Sequence, residues 1–250
     1  MTGPFDFSGQ RALVTGGSRG IGAAIATRLA ECRAHVTINY LHNEEAARAT
    51  ALEIERAGGS AAIVQANVAD PAAIATLTAQ AAADGLDILI HNAALGSFKP
   101  LHRVRANQWD LTMNTNARAL LLLAQGALPA LEARRGRIVS ISSLGSGRVL
   151  PSYGAIGVSK AALESTTKYL AAELAPRGVR VNAVVGGLVD TDASRLHPDY
   201  EALSRRAAAQ APTGRLTSAG EIADAVLFLC SPLAAGIIGQ MLVVDGGAGL

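Results

Sequence analysis

Short runs of β-branched and aliphatic residues alternate along this chain with longer stretches whose apolar positions recur three and four apart. "RALVTG" predicts a first strand, and "GIGAAIATRLAECR" a helix after it. "HVTINY" predicts a second strand, "NEEAARATALEIERAG" a charged amphipathic helix ending at Gly58, and "AAIVQANV" a third strand. Pro71 opens the helix "PAAIATLTAQAAADG" where a missing N–H does no harm. The buried strand "LDILIHNAA" follows, then one long helix over "NQWDLTMNTNARALLLLAQGALPALEAR" and the strand "GRIVSISS". "KAALESTTKYLAAELAPRG" predicts a helix and "VRVNAVVGG" a strand; "EIADAVLFLCSP" and "GQMLVVDGG" supply a last helix and a last strand.

About seven strands thus alternate with about six helices, and the strands are continuous apolar runs. Such strands belong to a parallel sheet covered on both faces, joined by right-handed crossovers. The expected class is α/β: a single doubly wound Rossmann domain over 1–250 with a parallel sheet of about seven strands. The 250 residues suffice for one large core.

Composition narrows the function. The net charge is +2 and no basic stripe with interleaved aromatics occurs, which excludes nucleic acid as a partner. Cys32 and Cys230 read as packed thiols rather than a disulfide. "MTGPFDFSGQR" lacks the pattern of a signal peptide, and no apolar run approaches the roughly 20 residues of a membrane span. A reduced, cytoplasmic setting without a membrane is therefore expected, and no metal site is. Lysine occurs only at 99, 160 and 168, which singles out each of the three.

Directly after the first strand stands "TGGSRGIG", with glycines at 16, 20 and 22. Gly16 permits a tight turn, Gly20 lets backbone approach a pyrophosphate, and Gly22 allows close helix packing. Ser18, Arg19 and Ile21 fill the same turn. A dinucleotide site that prefers NAD carries a carboxylate at the end of the second strand. Here Asn39 and Tyr40 end it, "NYLHN" follows with no acid before Glu44, and Arg19 and His42 can meet a 2′-phosphate. NADPH is the expected cofactor.

These motifs, with "HNAA" at 91–94, "NTNA" at 114–117, "SISS" at 140–143 and "VNAVVGG" at 181–187, resemble those of the short-chain dehydrogenases/reductases. The resemblance runs in family order over nearly the whole chain. It implies a cofactor across the C-terminal ends of the strands, with Asn67 and Val68 near the adenine and Asn92 and Ala93 near the adenosine ribose. Gly187, Val189 and Thr191 fall near the nicotinamide, and Lys160 on its ribose. Asn67 stands where many members carry Asp, and "VGG" replaces a common Ser-Pro-Gly.

The same resemblance places a tyrosine four residues before the lysine, and here that position is Ile156. Tyr153 lies seven before Lys160 instead. On a helix both offsets return to nearly one face, but a rise of about 1.5 Å per residue puts Tyr153 near 10.5 Å from the lysine along the axis, against about 6 Å. Gly154 and Gly157 are placed to unwind that first turn. Hydride addition to an enoyl thioester puts charge on a carbonyl two carbons from the reacting carbon, which suits a donor set farther out. The Tyr-x6-Lys spacing is similar to that of NADPH-dependent enoyl-acyl-carrier-protein reductases of the III type. The implied roles are Tyr153 as donor to an enolate oxygen, Lys160 as cation, Ser143 as orienting hydroxyl and Asn116 as holder of a helix kink and water relay. Ser140 and Ser142 compete with Ser143, and Asn114 with Asn116. His91 reads as a core histidine rather than a base.

Residues 190–215 are polar, helical in period and framed by Gly186, Gly187 and Pro212, as a substrate lid is. Arg205 and Arg206 face either an acidic acyl carrier protein or solvent. The expected reaction is reduction of an enoyl thioester in fatty-acid or polyketide synthesis. A ketoreductase acting on a cyclic or aromatic polyketide or a quinone is the alternative, and a non-catalytic nucleotide sensor the third reading. The resemblance also implies a homotetramer.

Overall fold

Seven parallel strands pair in the order β3-β2-β1-β4-β5-β6-β7 in a computed structural model that describes residues 3–250. The first two residues of "MTGPFDFSGQR" lie outside the described residues. The strands are β1 (Arg11–Thr15), β2 (His35–Tyr40), β3 (Ser60–Gln65), β4 (Ile88–His91), β5 (Arg137–Ser143), β6 (Arg180–Gly186) and β7 (Met241–Val244). The main crossover helices are α1 (Gly20–Glu31), α2 (Glu44–Arg56), α3 (Pro71–Ala81), α4 (Ala106–Met113), α5 (Ala119–Ala133) and α6 (Gly154–Leu174). After β6 come α7 (Asp192–Arg195), α8 (Tyr200–Gln210) and α9 (Ala219–Cys230).

Burial on both faces explains why the strands read as unbroken apolar runs. Val14, Ile88, Ile90 and Val139 point into a core shared with α1, α2 and α9. Leu13, Leu89 and Ile138 point the other way, into a core shared with α3, α5 and α6. Each fully buried aliphatic side chain contributes about 1.5–3 kcal/mol. β3, at the sheet edge, keeps exposed positions. Helix starts follow local chemistry: Asp70 Oδ1 accepts from Ala72 N at 3.0 Å ahead of Pro71, and Ser218 and Glu221 form a reciprocal capping box.

The chain order reverses direction across the sheet between β1 and β4, which opens a crevice at the C-terminal strand ends. Two elements differ from the periodicity. The long helix predicted over 107–133 is interrupted by a π-helical turn, Asn114–Arg118, between α4 and α5. The helix predicted to begin near Lys160 starts six residues earlier, at Gly154, and Gly157 does not unwind it. A side chain at Gly157 would meet the Gly145 carbonyl oxygen at 2.6 Å, so this glycine serves close approach rather than flexibility.

No helix among the described residues is long and apolar enough to cross a membrane. Cys32 is half-buried and Cys230 buried, and both are free. Burial pushes the Cys230 thiol up to about 12 and also raises that of Cys32. Titration with a thiol reagent is expected to detect one slowly reacting cysteine, Cys32, in the native protein and two after denaturation. Two equally fast native thiols, or none in denaturant without reductant, would contradict this packing.

Candidate active site

β1 ends at Thr15, and the chain turns over Gly16 and Gly20 with φ of +62° and +55°, backbone that glycine adopts without strain. A side chain at Gly22 would lie 2.1 Å from the Gly16 carbonyl oxygen, so only glycine lets α1 start this close to β1. No side chain caps α1, and its first N–H groups stand at the crevice, the arrangement that binds phosphate. This cradle, which Cβ atoms would fill, fits a pyrophosphate.

The cradle is braced from two sides. Asn92 Nδ2 donates to the Thr15 and Gly16 carbonyls at 3.1 and 3.0 Å, while Thr15 Oγ1 accepts from the backbone N–H groups of Asn92 and Ala93. Asn39 Oδ1 accepts from Gly16 N at 3.3 Å, and its Nδ2 donates to the Ala66 carbonyl at 3.1 Å. The side chains of Asn39 and Asn92, predicted as cofactor contacts, are therefore spent on backbone and shape the loop. Asn67 is exposed and its Oδ1 accepts from Ala69 N at 2.9 Å, Val68 and Tyr40 are buried, and the Ser18 carbonyl accepts from Thr50. Ile21 packs at the edge of the core. Arg19 stays exposed, 3.6 Å from the Asp192 carboxylate. The β2 end bears no free acid, since Glu44 pairs with Arg48.

Across the crevice, Gly187 sits against Thr217 and Asp245, and Val189 bridges to Thr217. Thr191 caps α7 by accepting from Ser194 N, and its methyl lies 3.2 Å from where a Gly20 side chain would be. The start of the 190–215 segment thus rests on the glycine turn.

Lys160 is buried, and its Nζ donates to the Ile141 carbonyl at 2.6 Å. Burial lowers its pKa to about 8, partly opposed by Glu164. His91 is also buried, and burial with the nearby Lys160 charge lowers it to about 4, so it is neutral at physiological pH. Its Nε2–H is assigned as donor to the Asn116 carbonyl at 3.1 Å, which leaves Nδ1 to face the Thr15 hydroxyl. The Asn116 amide donates to the Leu95 carbonyl and to Ser159 Oγ, and its Oδ1 accepts from Leu95 N, each at 2.9 Å. These contacts single out Asn116 over Asn114.

Two of the three serines on β5 turn toward α6, Ser140 to Thr167 and Ser142 to Glu164. Ser143 Oγ instead accepts from Gly145 N at 3.2 Å, and it stands close enough to the Tyr153 hydroxyl to favour the ionised phenol. Tyr153 caps the start of α6 with non-helical φ and ψ of −108° and 6°, after Ser152 in left-handed backbone at φ 56°. Its ring lies on Gly145, where a side chain would come within 2.6 Å of ring carbons. Burial raises the Tyr153 pKa against the opposing effect of the nearby Ser143, so the phenol is protonated at neutral pH. Ile156 is buried against Gly96, where an added Cβ would lie 2.2 Å from its side chain.

Sequence reasoning missed two aromatic neighbours. The Phe98 ring stands 6.1 Å from that of Tyr153 and 4.9 Å, edge-on, from that of His197. His197 Nδ1 accepts from Asp199 N at 3.0 Å, and Nε2 faces the Pro151 carbonyl at 3.4 Å. A lone histidine in a polar stretch carries no signal of such a contact.

Asn116→Asp replaces the donor to Leu95 and Ser159 with a carboxylate facing a carbonyl. We expect a loss of about 2–4 kcal/mol in urea unfolding, because buried groups lose their partners. An unchanged midpoint would mean the π turn is held by other contacts.

A family model described as enoyl-(acyl carrier protein) reductase, of the short-chain dehydrogenase type, matches residues 16–249. A 1-cyclohexenylcarbonyl-CoA reductase of Streptomyces collinus is 38% identical over 95% of this chain and 86% of its own length. A 3-oxoacyl-acyl-carrier-protein reductase of Escherichia coli is 37% identical over 97% of this chain and 98% of its own. A short-chain dehydrogenase of Burkholderia cenocepacia, solved in complex with NADP, superposes with a TM-score of 0.92 at 39% identity, covering 98% of this chain and 100% of that one. The chain belongs to the short-chain dehydrogenase/reductase family of oxidoreductases.

Proposed function

We propose that this protein is an NADPH-dependent reductase of enoyl thioesters in fatty-acid or polyketide synthesis. The observation that carries the reading is the Tyr153 ring seated on Gly145 at the end of β5, near Ser143, while Ile156, four before Lys160, is buried against Gly96. The other tyrosines are engaged elsewhere: Tyr40 is buried in β2, Tyr169 is 70% exposed on α6, and Tyr200 donates to Asp190. The one phenol beside Ser143 is the displaced one.

The cofactor fits Gly16, Gly20 and Gly22, with Lys160 for the nicotinamide ribose and Val189 and Thr191 at the far end. Arg19, tied only to exposed Asp192, is free to meet a 2′-phosphate, and no β2 carboxylate competes. When bound, the reduced nicotinamide supplies hydride. Hydride arriving at the β-carbon drives the C=C electron pair toward the thioester carbonyl oxygen. Tyr153, kept protonated by burial, donates a hydrogen bond to that oxygen with Ser143 beside it, and a proton taken from water at the α-carbon completes the saturated thioester. The Lys160 ammonium lowers the energy of the negative charge that collects there and on the phenol. The neutral His91 plays no part in proton transfer. Asn116, its amide consumed by Leu95 and Ser159, fixes the α4–α5 junction.

Residues 190–215 act as the lid, with His197 seated between Phe98 and Pro151. Arg205 and Arg206 are exposed on α8, and there they meet an acyl carrier protein. A homotetramer draws on the exposed Leu121 and Tyr169 of α5 and α6. The alternative, a ketoreductase, is supported by the relative named as a 3-oxoacyl reductase.

Purified protein is to be assayed for NADPH oxidation with crotonyl-type thioesters beside 3-oxoacyl thioesters, bicyclic ketones and quinones. Turnover of the enoyl thioesters is expected. Turnover confined to the carbonyl compounds assigns the alternative, and tight NADPH binding without turnover assigns a sensor. Tyr153→Phe is expected to lower kcat by more than about tenfold with NADPH affinity little changed. An unaltered kcat would place the donor elsewhere.

A further inference from the structure

We propose that Glu164 is a positioning residue of this active site: tethered by the Ser142 hydroxyl one helical turn beyond Lys160, its carboxylate keeps the buried lysine charged. Three residues of α6, spaced 160, 164 and 167, face three consecutive residues of β5. Lys160 Nζ donates to the Ile141 carbonyl at 2.6 Å, Ser142 Oγ donates to Glu164 Oε1 at 2.5 Å, and Ser140 meets Thr167 at 3.0 Å. The seam holds α6 at a fixed height on the sheet and brings the carboxylate to the lysine's side of the helix.

The need for such a group is electrostatic. An ammonium 5% exposed loses most of its hydration, and one backbone carbonyl does not replace it. Burial accordingly pulls Lys160 down to about 8, and Glu164 pushes it back up. The other groups facing this lysine do not substitute. His91, from β4, is neutral at physiological pH, and Tyr153, at the start of α6, is an un-ionised phenol. Lys168, one turn beyond Glu164 on the same helix, is exposed and adds only a second positive charge. Ser142 makes the tether specific: its hydroxyl occupies one carboxylate oxygen and prevents the side chain from turning out to solvent. The inference rests on Lys160 being the working cation of the site, and it is indifferent to which double bond is reduced.

The test reads the lysine directly. The chain has three lysines, 99, 160 and 168, so 13C-labelled lysine gives three Cε signals whose pH titrations can be assigned by single Lys→Arg variants. In the full-length protein, Glu164→Gln is expected to lower the Lys160 midpoint by about one pH unit. Ser142→Ala, which keeps the charge and frees it to move, is expected to lower it by less. The alkaline limb of the kcat profile is expected to move down in parallel. An unmoved or raised Lys160 midpoint in both variants overturns the proposal. If Glu164→Gln fails to fold, the sign of the Ser142→Ala shift decides alone. A lowered midpoint in a protein that reduces no enoyl thioester leaves this inference standing and removes the substrate reading.

Discussion

The site depends on how closely α6 approaches the turn after β5. Gly157 brings the helix against the Gly145 carbonyl, at a separation that leaves 2.6 Å for any added Cβ, and Gly145 in turn receives the Tyr153 ring at the same spacing. Two glycines facing one another therefore set the distance between helix and strand end. Ser143 ends β5 on one side of this contact, and Tyr153 begins α6 on the other. With α6 seated, Lys160 falls within reach of the Ile141 carbonyl, and the phenol falls beside the serine. Packing density makes such a contact unforgiving: a methyl group here must move a strand or a helix, not a side chain.

From this contact a hydrogen-bonded chain runs to the cofactor end. Ser159, next to Lys160, bonds the Asn116 amide, the Asn116 carbonyl bonds His91, and His91 faces Thr15. Thr15 and Asn92 then hold the turn over Gly16. Every member is buried or half-buried and neutral, so the chain carries orientation rather than charge. The lowered pKa of His91 belongs to this role: a charged imidazolium there would stand near Lys160 and lose its acceptor face toward Thr15. In this way the glycine cradle and the phenol share one rigid frame, although they arise about 140 residues apart in sequence.

Much of the fold was legible because burial on both sheet faces leaves an unbroken apolar signature, as in "LDILI" and "GRIVSI", and because the glycines at 16, 20 and 22 sit between a strand and a helix. The π turn was hidden. "NTNARALLLL" keeps helical period through it, and the extra residue shows only in the carbonyl that Asn116 gives to His91. Asn39 and Asn92 illustrate a different blindness. Residue type and position pointed to a ligand, and nothing in the sequence showed that their Nδ2 groups also donate to carbonyls that only the folded backbone brings together. Ser143 stood beside two equal candidates until the pleat sent Ser140 and Ser142 to α6. Phe98 and His197 come from a loop and from the 190–215 segment, and no spacing links them.

Tyr153 shows where helical arithmetic stops. Counting turns from Lys160 predicts a phenol displaced along one helix face, yet Tyr153 is not helical: its ψ is 6°, and Ser152 before it is left-handed at 56°. Left-handed backbone in a residue with a side chain costs about 1–2 kcal/mol. The ring's burial on Gly145 and against Phe98 offsets that strain. The direction of the phenol is thus chosen by a strained loop and a glycine floor rather than by its offset from the lysine. Meanwhile Ile156, which does obey the helical count, turns into the core against Gly96. The phenol stands off the helix while the helix position four before Lys160 is filled with carbon, and both arrangements follow from the same close seating of α6.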